Sequence, residues 1–169
     1  MMILKIFGAA TVVVCCTLLG IRCAGAYSRR AKTLRALIGT LTVTRSEICD
    51  LLSPMPEMLE MLSKTAPAPA RSFWRDCDAA SRAGMTFPEA WTYATERLAH
   101  VDEKSRDVIL GLANVMGRYD AETQRDELTR AVNALEDALR DAETERSSGG
   151  KTCAALGVGV GVMLAIILV

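Results

Sequence analysis

Apolar residues crowd both ends of this chain and thin to helix-spaced stripes between them. Ile6 to Ala26 is almost uncharged, and Thr152 to Val169 carries no charge at all. Each is close to the length needed to cross a hydrocarbon core of roughly 30 Å as a helix. Between them, Leu34, Leu37, Ile38, Leu41, Ile48, Leu51 and Leu52 recur at spacings that fit one helix face, which predicts a long amphipathic helix from Ser28 to Leu52. Met58, Leu59 and Leu62 predict a short second helix over Met55 to Ser63. Phe73, Trp74 and Cys77 predict a third over Arg71 to Ala83, and Trp91, Ala94 and Leu98 a fourth starting at Thr86. Val108, Ile109, Leu112 and Met116 mark a fifth over Asp102 to Met116. A sixth runs from an Asp120 cap through Leu128, Ala131, Val132, Leu135, Leu139 and Ala142. No stretch alternates convincingly as a strand. The expected fold is all-α: a compact six-helix bundle flanked by N- and C-terminal transmembrane helices, with narrow, alanine-rich stripes that suit antiparallel neighbours.

The punctuation between the stripes is explicit. In Glu47 to Glu57 (EICDLLSPMPE), Ser53, Pro54 and Pro56 are expected to end the first helix, because proline lacks a donor and biases its predecessor away from the α region. Pro56 and Glu57 suit the first turn of the next. Thr65-Ala-Pro-Ala-Pro closes the second helix, Gly84 suits a left-handed end to the third, and Thr86-Phe-Pro-Glu89 fits a capping box. Ser147 to Gly150 reads as a flexible joint. The domain reading is therefore 1–27 anchor, 28–146 soluble helical domain, 147–151 linker and 152–169 second membrane helix, with no soluble domain after it.

Charge then orients the chain. The formal net charge is zero, which argues against a nucleic-acid binder. The zero conceals a gradient: no acidic residue precedes Glu47, whereas Lys5, Arg22, Arg29, Arg30, Lys32, Arg35 and Arg45 all do. The basic cluster after the first apolar segment favours an uncleaved anchor whose basic flank stays in the cytoplasm beside anionic lipid. The alternative is a signal peptide cleaved at Ala24-Gly25-Ala26, which would make the protein a secreted or surface-anchored helical receptor. Arg140, Arg146 and Lys151 precede the second apolar segment, so both flanks point the bundle into the cytoplasm. Gly157 and Gly161 form a GxxxG pair suited to membrane helix packing.

Chemistry is sparse. Cys49 and Cys77 lack CxxC spacing and, with the lone His100, make neither a disulfide framework nor a zinc site. His100 reads as a helix C-cap, because no motif places a nucleophile beside it. Both tryptophans lack evident aromatic partners and read as core. Gly150-Lys151-Thr152 imitates the end of a phosphate loop, but Glu145 stands where that motif needs glycine. No cofactor, metal or catalytic residue is expected. The candidate partner contacts are the exposed charges Glu57, Glu60, Arg71 and Arg75.

The order of parts resembles the stage III sporulation protein AB family across nearly the whole chain. The resemblance rests on the basic run ending in Arg45-Ser46-Glu47-Ile48, the Pro54-Met-Pro56-Glu57 elbow, Ala90-Trp91, and Asp107 with Ile109, Leu110 and Leu112. Gly117, Asp120, Gln124 and Lys151 complete it. It implies a six-helix domain similar to the F-type platform of type II secretion and a non-enzymatic platform in the mother-cell membrane of a spore-forming bacterium. The expected partners are a sporulation secretion-type ATPase in the mother-cell cytoplasm, other membrane proteins of the channel complex and the lipid bilayer, with self-association left open. Glu47, Pro54, Pro56, Trp91, Gly117, Asp120 and Gln124 are expected to be structural.

Overall fold

A computed structural model describes the backbone of residues 2–116 and 120–168, with side-chain environments for 25, 26, 28–116 and 120–147. Among these residues the helices are α1 (Met2–Cys49), α2 (Met55–Thr65), α3 (Ala68–Arg82), α4 (Phe87–Glu96), α5 (Glu103–Gly111) and α6 (Ala121–Leu168), with a 3-10 turn at Leu112–Asn114 and no strand. The expected spans 1–27 and 152–169 lie, apart from residues 25 and 26, outside the described side chains. Gly117 lies outside the described residues, as do the side-chain surroundings of Gly157 and Gly161. Among the described residues, no helix is long and apolar enough to cross a membrane.

Two compact units divide the chain: Lys32–Leu139, and Met1–Ala31 with Arg140–Val169. In the second of these, Arg30 pairs with Glu145 at 2.9 Å, and Ala31 and Ala142 are buried. In the first, α3 packs between α2 and α4, and α4 packs on α5 and the 3-10 turn. Its core contains Leu34, Leu37 and Leu41 of α1, Met58, Leu59 and Leu62 of α2, and Leu128 and Leu135 of α6, all almost fully buried. Burying each such large side chain is worth about 1.5–3 kcal/mol. Thr33, Thr40 and Thr44 share the buried side of α1, although the apolar pattern omits them. The Thr40 and Thr44 hydroxyls bond back to carbonyls one turn earlier, which meets their polar need inside the helix.

Several boundaries differ from expectation for local reasons. The first helix ends at Cys49, before Leu51 and Leu52, which stand 66% and 72% exposed and belong to no core face. The elbow is closed by Glu47 more than by the prolines. Its carbonyl accepts the Ser53 N–H at 2.8 Å, its carboxylate accepts the Ser53 hydroxyl at 2.6 Å, and Leu52 takes the left-handed conformation at φ 54. Pro54 and Pro56 instead shape the start of α2, as N-cap and first-turn residue. The same Pro-x-Pro device starts α3 at Ala68, three residues earlier than expected, because Pro67 is its N-cap and Pro69 is tolerated in the first turn. The fifth helix stops at Gly111 and tightens into the 3-10 turn. The joint expected at Ser147 to Gly150 is helix, since α6 continues unbroken through it to Leu168.

Phe73, Trp74 and Trp91 form a closed cluster, every pair edge to face with ring centroids 4.9–5.6 Å apart, and Phe87 leans on Trp91. The tryptophans therefore do have aromatic partners. Phe87 stands one turn before Trp91 on α4, but Phe73 and Trp74 are adjacent on α3 and meet Trp91 from another helix, so the helical periodicity of one stripe does not display the three-ring cluster.

Candidate interaction face

The α2–α3 hairpin carries all four candidate contacts but does not gather them. Glu57 is exposed in the first turn of α2, and Glu60 lies one turn on. The Glu60 carboxylate pairs with Lys64 on its own helix and with Arg82 across the hairpin at 3.1 Å. Arg82 in turn bonds Asp78 at 3.0 Å. This ladder of alternating charge holds the Glu60 carboxyl below the usual carboxylate range, chiefly through its hydrogen bond from Lys64, and keeps the Arg82 guanidinium firmly charged, chiefly through Asp78. Pro56, Glu57, Glu60, Asp78, Ser81 and Arg82 line a groove of about 340 Å³. Arg82 and Asp78 are thus members of the face that exposed-charge reasoning missed, although their i,i+4 spacing is a legible pairing signal.

Arg71 and Arg75 stand elsewhere. Arg71 sits by the turn between the two helices, where its Nε donates to the Ala66 carbonyl at 2.8 Å and so closes the end of α2. Arg75 is exposed on α3. Only Glu57 and Glu60 share the groove.

The remaining named residues act inside the fold. Trp91 is fully buried and donates its indole N–H to the Ile109 carbonyl at 2.7 Å. Asp120 accepts the Thr123 N–H and hydroxyl at 2.9 and 3.0 Å, which caps α6 and lowers its carboxyl below the normal range. Gln124 is buried on the next turn. Asp107 is exposed and borders a groove with Val108, Leu112 and Arg130. His100 does not cap α4: it lies exposed in the following loop at φ 61, and Arg106 makes the contacts instead. The Arg106 guanidinium donates to the carbonyls of Thr95, Glu96 and Leu98 at 2.8–3.0 Å, binding the end of α4 to α5. No local pattern announces that contact, because it depends on how the two helices meet.

Among the described residues, no three His, Cys, Asp or Glu side chains are grouped to hold a metal ion. Cys49 and Cys77 are buried and unpaired. Burial pushes the Cys77 thiol up to about 12, helped by Asp78, and raises Cys49 as well. Neither offers a reactive thiolate near neutral pH.

The sequence profile of Stage III sporulation protein AB matches residues 5–169. The chain belongs to the stage III sporulation protein AB family. The stage III sporulation protein AB of Bacillus subtilis (strain 168) is 23% identical over 169 residues, covering 98% of this chain and 99% of that relative. A solved structure of stage III sporulation protein AB superposes with a TM-score of 0.65 at 18% identity, over 71% of this chain and 98% of that one. That likeness supports the helical fold. In this stage III sporulation protein AB family member, the elbow marker Glu47 is the residue that stitches the elbow, and Trp91 is the hub of the aromatic cluster.

Proposed function

We propose that this chain is a non-enzymatic membrane platform of the sporulation channel between mother cell and forespore, joining a cytoplasmic secretion-type ATPase to membrane components. The observation that carries the reading is the form of α1 and α6. Each is one 48-residue helix that begins or ends in an apolar segment and contributes its other part to the bundle. A helical domain bracketed in this way suits a fixed adaptor. Membership of the family supplies the sporulation setting. The Glu57–Glu60 groove is the proposed ATPase contact, because it presents carboxylates on a braced hairpin rather than on a loop.

The test is co-purification of the full chain with the secretion-type ATPase from intact membranes. Glu57→Lys is the cleaner variant, because Glu60→Lys also breaks the pairs with Lys64 and Arg82. The expected outcome is about tenfold weaker retention of the ATPase with an unchanged melting temperature, as for an interface residue whose truncation or reversal costs more than 1 kcal/mol. Retention equal to wild type removes this groove, and no association in wild-type membranes overturns the platform reading. Topology is best probed with a cysteine introduced at exposed Ser72, since Cys49 and Cys77 are hidden from labelling reagents. Labelling from the cytoplasmic side is expected. Amino-terminal sequencing that begins after Ala26 would support the receptor alternative.

A further inference from the structure

At the C-terminus of α3 the charged groove gives way to a larger one of about 670 Å³ at the α3–α4 corner. Met85, Pro88 and Tyr93 supply its apolar surface, and Glu89 and Glu96 are its charged lining residues. Met85 and Tyr93 are 42% and 40% exposed, although the core hides most of the chain's other described large apolar side chains. The walls are fixed. Met85 N–H bonds the Ala80 carbonyl and Gly84 N–H the Ser81 carbonyl, with Gly84 at φ 94, a complete Schellman end to α3. The Glu89 carboxylate accepts the Thr86 N–H at 2.9 Å and its hydroxyl at 2.8 Å, fixing the start of α4. Arg97 lies 5.3 Å from the centre of the Tyr93 ring and bonds Asp76 at 3.3 Å, so the ring is held from its outer side.

The charge of the surroundings selects the occupant. Glu89 and Glu96 are the charged side chains lining this groove, and in its neighbour Glu57, Glu60 and Asp78 outnumber Arg82 and the Lys64 that pairs with Glu60. A rigid apolar floor beneath an acidic rim complements a segment with an apolar stripe and basic flanks. We propose that the α3–α4 groove binds a basic amphipathic helix of a partner protein. Met85, Pro88 and Tyr93 receive its apolar side chains, and Glu89 and Glu96 face its lysines or arginines. This assignment does not rest on the ATPase contact at Glu57.

Amide exchange of the full chain in neutral-lipid nanodiscs tests it. The probes are two peptides of about four helical turns with identical leucine spacing, one carrying lysines and one glutamates on the polar face. The lysine peptide is expected to slow exchange at residues 84–96, the glutamate peptide to leave it unchanged, and added salt to weaken the effect. Tyr93→Ser and Glu96→Lys should each weaken binding about tenfold, while Glu103→Lys on α5 leaves it intact. Glu96 is exposed, so its variant carries the test if Tyr93→Ser does not fold. Equal protection by both peptides, protection confined to other residues, or wild-type affinity in Glu96→Lys overturns the proposal. Slowing of the same amides by protein concentration alone also overturns it, because it would make the groove a contact between copies of the chain.

Discussion

Trp74 and Trp91 lie in one aromatic cluster and are both fully buried, yet their indole N–H groups fare differently. Trp91 bonds the Ile109 carbonyl, whereas Trp74 Nε1 has no partner among the described residues. Replacing Trp91 by Phe removes volume and one hydrogen bond to the Ile109 carbonyl, which keeps the Leu112 N–H; replacing Trp74 removes similar volume and also the unmet donor. Chemical denaturation of the two variants should therefore find Trp91→Phe more destabilising, by about 0.5–1.5 kcal/mol, the net worth of one hydrogen bond. Equal losses would mean that packing alone sets the value of the cluster. A second residue-scale test is Arg106→Ala, which removes one donor from each of three carbonyls, of which Thr95 keeps the Leu98 N–H, and should cost about 1–3 kcal/mol with fraying at the end of α4. Burial of both tryptophans is legible from their helical neighbours. Their mutual stacking and the work of Arg106 are not, because both arise where separate helices meet. His100 drew the C-cap reading by its position at the end of a stripe, but a left-handed backbone turns the chain away there.

Helix ends are the scale at which the sequence is most explicit. The Thr86–Glu89 box, the Asp102 and Asp120 caps and the left-handed Gly84 each stand where their residue types place them. Glu89 and Asp120 hold carboxyl values below normal, in each case first through a backbone N–H that favours the ionised form. A carboxyl depressed in the folded state contributes stability above its unfolded pKa and loses it as pH falls through the folded value. Melting temperature should therefore drop on acidification, and the double variant Glu89→Gln, Asp120→Asn should show a shallower drop while keeping most of its stability near neutral pH. Gln and Asn still cap but do not titrate in this range. An identical acid slope in the variant would place the sensitivity elsewhere. Gly84→Ala is the companion test: nothing lies within 4 Å of the added methyl, so the loss of about 1 kcal/mol comes from the left-handed backbone alone. The ends that differ from the stripes do so for separate physical reasons. Glu47 stitches the elbow just past Cys49 and ends α1 early, whereas Pro67, standing as the N-cap of α3, lengthens that helix back to Ala68.

For the molecule as a whole, the order and number of helices follow from the stripes, but the way the first and last helices meet does not, since long-range pairing has no local signature. Within the Lys32–Leu139 unit, Arg125 reaches back to Asp50 and to the Cys49 carbonyl, and Arg45 donates to the Thr129 hydroxyl. Those polar ties join residues more than seventy positions apart and include the turn below the elbow. Yet the Arg125–Asp50 pair is half exposed on both sides, and exposed pairs are worth at most about 1 kcal/mol. Leu128 and Leu135 of α6 are fully buried in the same unit. Leaving a cavity in place of a buried leucine costs about 2–5 kcal/mol. Closure of the bundle is therefore assigned to the leucines, and register to the polar ties. Leu135→Ala should lower the denaturation midpoint strongly, whereas Asp50→Asn should shift it by less than about 1 kcal/mol and lose more of its effect in high salt. If Asp50→Asn proved the more damaging, the elbow and its ion pair would be the clasp that closes the bundle, and the apolar stripe of α6 would serve another surface.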